Sequence, residues 1–383
     1  MMANANANAN ANANADDEAR RMTSMTTSTT RARMRTCVIF GLGYVGYALA
    51  LALTRAGGWV VSGTTREGEG ARVARFRERG IDVVQFDPYG DDDDDEGERD
   101  IGRDLVTKAN ANDAEGERAR MDAHERLSKL VREAEAVIVT VPPNGDFNRD
   151  PVLEFFAKEL CDVKALGAKK RFVGYCGSTS VYGDRGGGWV NERAPCAPNT
   201  PKSKARFDAE MAWRALETSA NGDVKVVSYR LGGIYGPGRS AIETAKKRRE
   251  TKAAGNSESA SQRSRERRSF TSRVHVGDIV SVIVASMKLG ERASEVYNVV
   301  DDEPAPRRDA VRYAEKILGF AEDDVDAEEN KDSAAEQIEV EGNRGEKRVE
   351  NARIKNELGV SLRFPTYREG LDAIARGDRY PFE

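Results

Sequence analysis

Gly41, Gly43 and Gly46 form G-x-G-x-x-G directly behind the apolar run CVIF, and Val45, Leu49 and Ala52 then recur on one helical face. Glycine at those positions permits a tight turn, backbone approach to a pyrophosphate and close helix packing, and the helix N-terminus adds partial positive charge. The spacing marks a dinucleotide-binding turn, with Gly41, Gly43, Tyr44, Val45 and Gly46 around the phosphates. At the end of the next apolar run, SGTTR offers Thr64, Thr65 and Arg66 where an acidic residue would hold the ribose of NAD. Hydroxyls and a guanidinium suit a 2′-phosphate, so the reading is NADP rather than NAD. Asp87, closing QFD, either reaches the adenine amino group or serves as a turn or cap residue. A further cluster of hydroxyls lies in CGSTSVYGD, where Ser178, Thr179, Ser180 and Tyr182 end an apolar run. There a hydroxyl can satisfy strand-end backbone groups or polarise a substrate oxygen.

The elements that must carry these residues alternate along the chain. CVIF, GYVGYALALALTRAG, WVVSGTT, EGARVARFRERG and IDVVQFD make a βαβαβ rhythm, which calls for a parallel sheet covered by helices. The rhythm resumes with a helix over Leu127–Ala134, the strand AVIVTV, a helix over Val152–Ala165, the strand RFVGYCG, a helix over Ala205–Ser219 and the strand VKVVSYRLGG. A helix from Asp278, the strand EVYNVV and a helix over Arg307–Leu318 follow, and together with RIKNELGVSLRFPTYREGLDAI they read as a smaller lobe packed against the sheet. Two polar insertions interrupt the pattern. The first, about residues 88–117, contains DDDDDE and reads as a solvated surface insertion; the second, about 241–272, contains KKRR and RSRERR. No aromatic residue is interleaved with those arginines before Phe270, which favours a mobile solvated loop over an RNA-binding segment.

Composition narrows the class further. The chain has 383 residues, a formal charge of -4, 39% hydrophobic and 32% charged residues, so it combines a folded body with polar insertions and has no global field for nucleic acid. Cys37, Cys161, Cys176 and Cys196 lack C-x-x-C spacing and read as free thiols in a reducing compartment. His124 and His275 stand far apart, which disfavours a zinc cluster or a Ser-His-Asp site, and no metal is expected. No apolar run is long enough to span a bilayer. Residues 1–35 open with six Ala-Asn repeats, have no core-forming periodicity and are excluded from the fold. Their Arg/Ser/Thr-rich part reads either as a transit peptide for a plastid or other organelle, or as a tail without an address on a cytoplasmic protein. Asp16, Asp17 and Glu18 count against targeting.

The glycine turn, CGSTSVYGD, TPKSKARFDAE, YRLGGIYGPGR, RVHVGDIV and EVYNVVDDEP occur in order, and with them the sequence resembles the extended short-chain dehydrogenase/reductase superfamily, of the NAD(P)-dependent epimerase/dehydratase type. The likeness covers about Thr36 to Ile374. GTTR, VTVPP and FPTYREGL are closer to its atypical, YeeZ-like subgroup. The resemblance implies a Rossmann-type, doubly wound parallel α/β sheet over residues 36–237 and a smaller C-terminal substrate lobe over 238–383, which shares elements with the sheet. It also implies a Ser, Tyr, Lys active site. Ser178 matches the serine that polarises the substrate, and Lys204 the lysine that holds the nicotinamide ribose. The tyrosine of Y-x-x-x-K is replaced by Thr200, whose alkyl hydroxyl cannot act as a phenolate-like base. The proton then comes from Tyr182, from Thr200 through water, or from the substrate. Asp150 matches either a structural asparagine of the family or a plain helix cap. The expected function is an NADP-dependent oxidoreductase or epimerase/dehydratase acting on a small carbonyl, hydroxyl or sugar-type compound, as monomer or homodimer, without membrane or nucleic-acid partners. The alternative is a non-catalytic NADP-binding sensor or scaffold.

Overall fold

The computed structural model describes residues 33–88, 114–143, 150–167, 169–253, 269–320 and 346–383. The leader, and with it the organelle address, lies outside the described residues, as do most of the acidic insertion and residues 254–268 of the basic one. The folded unit runs from Arg35 to Glu383.

Strand β1 (Arg35–Phe40) leads through the glycine turn into α1 (Tyr44–Ala56), then β2 (Trp59–Thr65), α2 (Ala71–Glu78) and β3 (Asp82–Gln85). The chain continues as α3 (Ala114–Glu133), β4 (Ala136–Val139), α4 (Pro151–Cys161), β5 (Arg171–Ser178), β6 (Trp189–Val190), α5 (Pro201–Ser219) and β7 (Val224–Leu231). After these come β8 (Gly233–Tyr235), α6 (Ala241–Ala253), β9 (Arg273–His275), α7 (Val276–Leu289), β10 (Val296–Val299), α8 (Arg307–Ile317), β11 (Arg348–Val349), α9 (Ala352–Leu358) and α10 (Tyr367–Ala375). The main sheet has seven parallel strands in the order β10-β7-β5-β4-β1-β2-β3. Its strands are near-continuous apolar runs because both faces are covered. Period-two alternation sends Cys37 and Ile39 to the face packed by α1 and α7, and Val38 and Phe40 to the face packed by α3, α4 and α5. Chain order reverses between β1 and β4, so a crevice opens at their carboxyl ends.

Two expectations need correction. The helix expected from Leu127 already begins at Ala114, inside the stretch assigned to the acidic insertion. The basic insertion opens as the helix α6 rather than as a loop. Only Ile242 and Ala245 of α6 are buried, against α8 and α10, which is too little apolar periodicity to stand out among KKRRETK. A local signal did exist in Ser240-Ala-Ile-Glu243, a capping box whose Glu243 carboxylate accepts from Ser240 N (2.6 Å) and Oγ (2.5 Å). From the C-terminal part of the chain, β10 completes the sheet and α7 covers one of its faces.

Arg171 opens β5 and is fully buried. Its guanidinium donates to the carbonyls of Ala134 (3.0 Å), Arg132 (2.7 Å), Glu159 (2.8 Å), Asp162 (3.1 Å) and Leu160. These are carbonyls at and just beyond the C-terminal ends of α3 and α4, where the helical ladder runs out of N–H donors. One planar fork thus ties two helices to a central strand, and burial lowers its pKa only to about 10, so it stays charged at neutral pH. Arg171→Met should lower the unfolding free energy by about 3 kcal/mol or more, because several carbonyls lose their donor at once. Urea unfolding midpoints of the two proteins check this, and equal midpoints would rule the tie out.

Candidate functional site

The glycine turn sits at the crevice between β1 and β4. Gly41 adopts φ +92°, and its N–H donates to Thr64 Oγ1 (2.9 Å) while Leu42 N donates to the Thr64 carbonyl (2.7 Å). Thr140, just past β4, donates to the Gly41 carbonyl (2.7 Å) from the other side. A Cβ on Gly46 would collide with that same Gly41 carbonyl oxygen, so glycine there lets α1 approach β1. Around Gly43 the space is open. The first helical bond runs from Tyr47 N to Gly43 O (3.0 Å), which leaves the N–H groups of Tyr44, Val45 and Gly46 ahead of the ladder, and no acidic residue lies in this first turn. Open backbone at Gly43 and the positive end of the helix dipole fit the pyrophosphate of a dinucleotide. Val45 is a core residue. The Tyr44 side chain donates its hydroxyl to the Pro237 carbonyl (3.0 Å).

On the adenosine side, Thr64 is buried and committed to Gly41, and Thr65 donates its hydroxyl to the Glu67 carbonyl (2.5 Å). Of the SGTTR residues, Arg66 is the exposed cation just beyond β2. Asp87 is half-buried beyond β3. Sequence reasoning missed Arg72, whose guanidinium donates to the Leu42 carbonyl (2.9 Å) of the turn itself. Its position in the first turn of a charged helix carried no signal of this contact.

On the other side of the crevice, Ser178 is the last residue of β5 and is half-buried. Its Oγ accepts from Ser180 N (3.1 Å), capping a short 3-10 turn over Thr179–Tyr182. That bond uses the oxygen as acceptor and leaves the O–H able to donate. Tyr182 behaves differently. It is fully buried, donates to Asn298 Oδ1 (2.8 Å) and accepts from Arg230 Nη1 (2.8 Å). Arg230 in turn forms a buried ion pair with Glu210 of α5 (2.6 Å). Burial pushes the Tyr182 phenol up to about 12 despite the neighbouring guanidinium. Tyr182 therefore anchors the turn that carries Ser178, and both faces of its hydroxyl are occupied.

Thr200 is the N-cap of α5. Its Oγ1 accepts from Ser203 N (3.1 Å) and donates to Ser203 Oγ (3.0 Å), and Ser203 Oγ accepts in return from Thr200 N (3.0 Å). The hydroxyl expected to relay a proton is committed to starting the helix. Lys204 is exposed one turn further on, and α5 packs against the 179–182 turn. Asp150 is a buried N-cap accepting from Val152 N (3.0 Å), Leu153 N (3.1 Å) and Trp213 Nε1 (2.9 Å), which accounts for it structurally.

His275 also caps a helix: its Nδ1 accepts from Gly277 N (3.1 Å), and its ring packs on Phe364 (4.0 Å between centroids). Burial lowers its pKa from 6.5 to about 4, with Asp378 opposing and Arg363 assisting. Because the unfolded chain takes the proton more readily, the stability owed to the neutral ring is complete above the ordinary value of 6.5 and is lost as pH falls toward 4. The loss reaches about 3 kcal/mol. His275→Asn keeps a capping acceptor, so its urea midpoint should fall less between pH 7 and pH 4.5 than that of the parent chain. Parallel losses in the two proteins would exclude this role for the ring.

A doubly wound parallel sheet with a glycine turn at its reversal point and a capped hydroxyl at the neighbouring strand end defines a nucleotide-binding α/β protein of Rossmann type. The model of the NAD dependent epimerase/dehydratase family matches residues 37–299, and the chain belongs to that family. Among solved structures, a conserved protein of unknown function from Silicibacter pomeroyi DSS is 28% identical, with 90% of this chain and 99% of that chain covered at a TM-score of 0.58. dTDP-glucose 4,6-dehydratase from Bacillus anthracis str. Ames, solved in complex with NAD, is 17% identical over 89% of this chain and 96% of its own, with a TM-score of 0.61. UDP-glucose 4-epimerase from Thermotoga maritima, solved with UDP-glucose, is 15% identical over 91% and 100%, also at 0.61. No curated protein matches the chain by sequence. Among the described residues no helix is long and apolar enough to cross a membrane.

Proposed function

We propose that the chain binds NADP(H) across the carboxyl ends of β1, β2, β4 and β5 and acts as an oxidoreductase or epimerase/dehydratase on a small carbonyl, hydroxyl or sugar-type substrate. The observation that carries this reading is the unobstructed backbone at Gly43, at the start of α1, on the same sheet edge as Ser178. UDP-glucose and NAD in solved members of the same fold support a sugar-type substrate and a nicotinamide cofactor. When bound, the nicotinamide supplies or accepts a hydride. Amides of Tyr44, Val45 and Gly46 hold the pyrophosphate. Arg66 faces the 2′-phosphate, with Asp87 beside the adenine. The Ser178 O–H donates to the substrate oxygen on which charge develops, and Lys204 orients the nicotinamide ribose.

A second reading is a cofactor-binding sensor without turnover. It is favoured by one observation: neither the Thr200 hydroxyl nor the Tyr182 phenol is available as a proton carrier. Incubation of the full chain with NADPH and a library of carbonyl compounds separates the two readings. NADPH oxidation supports the enzyme, whereas tight NADPH binding without oxidation supports the sensor.

Arg66→Ala should weaken NADPH binding by about tenfold or more while leaving NADH within about twofold, since one charge-assisted contact to the 2′-phosphate is removed. Equal losses for both cofactors, read by calorimetry, would dismiss the NADP preference. Ser178→Ala should reduce kcat by about a hundredfold, in the range of losing one oxyanion donor, and keep the cofactor affinity of the parent. Undiminished turnover in that variant would leave Ser178 as a helix-cap hydroxyl only.

A further inference from the structure

The segment Tyr235–Arg239, YGPGR, lies nearly two hundred residues beyond the glycine turn in sequence and touches it in space. Gly236 and Arg239 exchange both backbone hydrogen bonds, each 3.0 Å, and close a tight turn around Pro237 and Gly238. Gly238 takes φ +74°, a conformation that favours glycine. The turn is pinned to α1: Tyr44, the first residue of that helix, donates its hydroxyl to the Pro237 carbonyl (3.0 Å), and a Cβ on Gly236 would lie 2.6 Å from that hydroxyl. On this anchored turn Arg239 is exposed, with its guanidinium carbon 5.5 Å from the centre of the Tyr44 ring. The carboxylate of Glu243, which shares this neighbourhood, is already held by the N–H and hydroxyl of Ser240.

The glycine turn, Gly-Leu-Gly-Tyr-Val-Gly, contains no cation of its own, and the Arg72 guanidinium beside it is engaged with the Leu42 carbonyl. A pyrophosphate carries two negative charges, and a helix N-terminus offers only about half a positive one. A guanidinium carried on an anchored turn beside the first residue of that helix meets the difference with paired N–H donors. We infer that Arg239 is a cofactor-binding residue that ion-pairs with the pyrophosphate of the dinucleotide, so that the YGPGR turn and the glycine turn hold the phosphates from two sides. This rests on the proposed dinucleotide reading and adds to it a binding residue contributed by the chain beyond the last central strand. Arg239 and Arg66 divide the cofactor: Arg239 contacts what NAD and NADP share, and Arg66 what separates them.

The test is calorimetric titration of the full chain, Arg239→Met and Arg239→Lys with NADPH, NADH and ADP at two salt concentrations. Apo thermal melts confirm that each variant folds. Arg239→Met should weaken all three ligands by a similar factor of about ten or more and flatten the salt dependence, and lysine should restore part of the loss. Unchanged affinity for all three in Arg239→Met would overturn the assignment. So would a loss confined to NADPH, which would place the guanidinium on the 2′-phosphate. If the parent chain itself binds none of the three, the dinucleotide reading fails along with it; if the parent binds and the variant matches it, only the role of Arg239 falls.

Discussion

Helix α1 lies so close to the end of β1 that one methyl group at Gly46 would strike the Gly41 carbonyl. That contact sets the distance between the first strand and the first helix, and the positions of the amides ahead of Tyr47 follow from it. Thr64 from β2 and Thr140 from the end of β4 hydrogen-bond the same glycine, so three adjacent strands agree on where the turn sits. A pyrophosphate site made of backbone requires this agreement, because no side chain can adjust to correct a misplaced amide.

The serine edge is held by a different device. Glu210, Arg230, Tyr182 and Asn298 bring α5, β7, the 3-10 turn and β10 onto one buried polar network. Taking an ion pair out of water is costly, and hydrophobic residues of similar volume would give comparable stability. The network provides direction: Tyr182 can sit in one place only, and Ser178 is fixed four residues before it. Capping does similar work at Asp150, Thr200 and His275, each of which commits a side-chain acceptor to the start of a helix.

Much of the fold was legible because buried parallel strands are apolar runs, and CVIF, AVIVTV and RFVGYCG could hardly be anything else. Errors occurred where tertiary contacts outweigh local pattern. Helix α6 rests on a pair of buried side chains among lysines and arginines, and the beginning of α3 lies in sequence that reads as solvated. At the site, the glycine turn was readable from spacing, and the loss of tyrosine at Thr200 from the family resemblance. The commitment of the Tyr182 hydroxyl to Arg230 and Asn298 was not, since those partners lie 48 and 116 positions away.

Sequence by itself determined the parallel α/β architecture and the glycine turn, because these depend on residue type, local periodicity and short spacings, and its resemblance to a family marked Thr200 as standing where a tyrosine is usual. Only the tertiary structure decided which hydroxyls are spent. Ser178 keeps a donor while Tyr182 and Thr200 do not, and Arg72 and Arg239 meet the glycine turn from segments that no spacing rule connects to it. The physical reason is that a hydrogen bond saturates. Whether a polar atom remains available for chemistry depends on which partner the folded chain brings to it first.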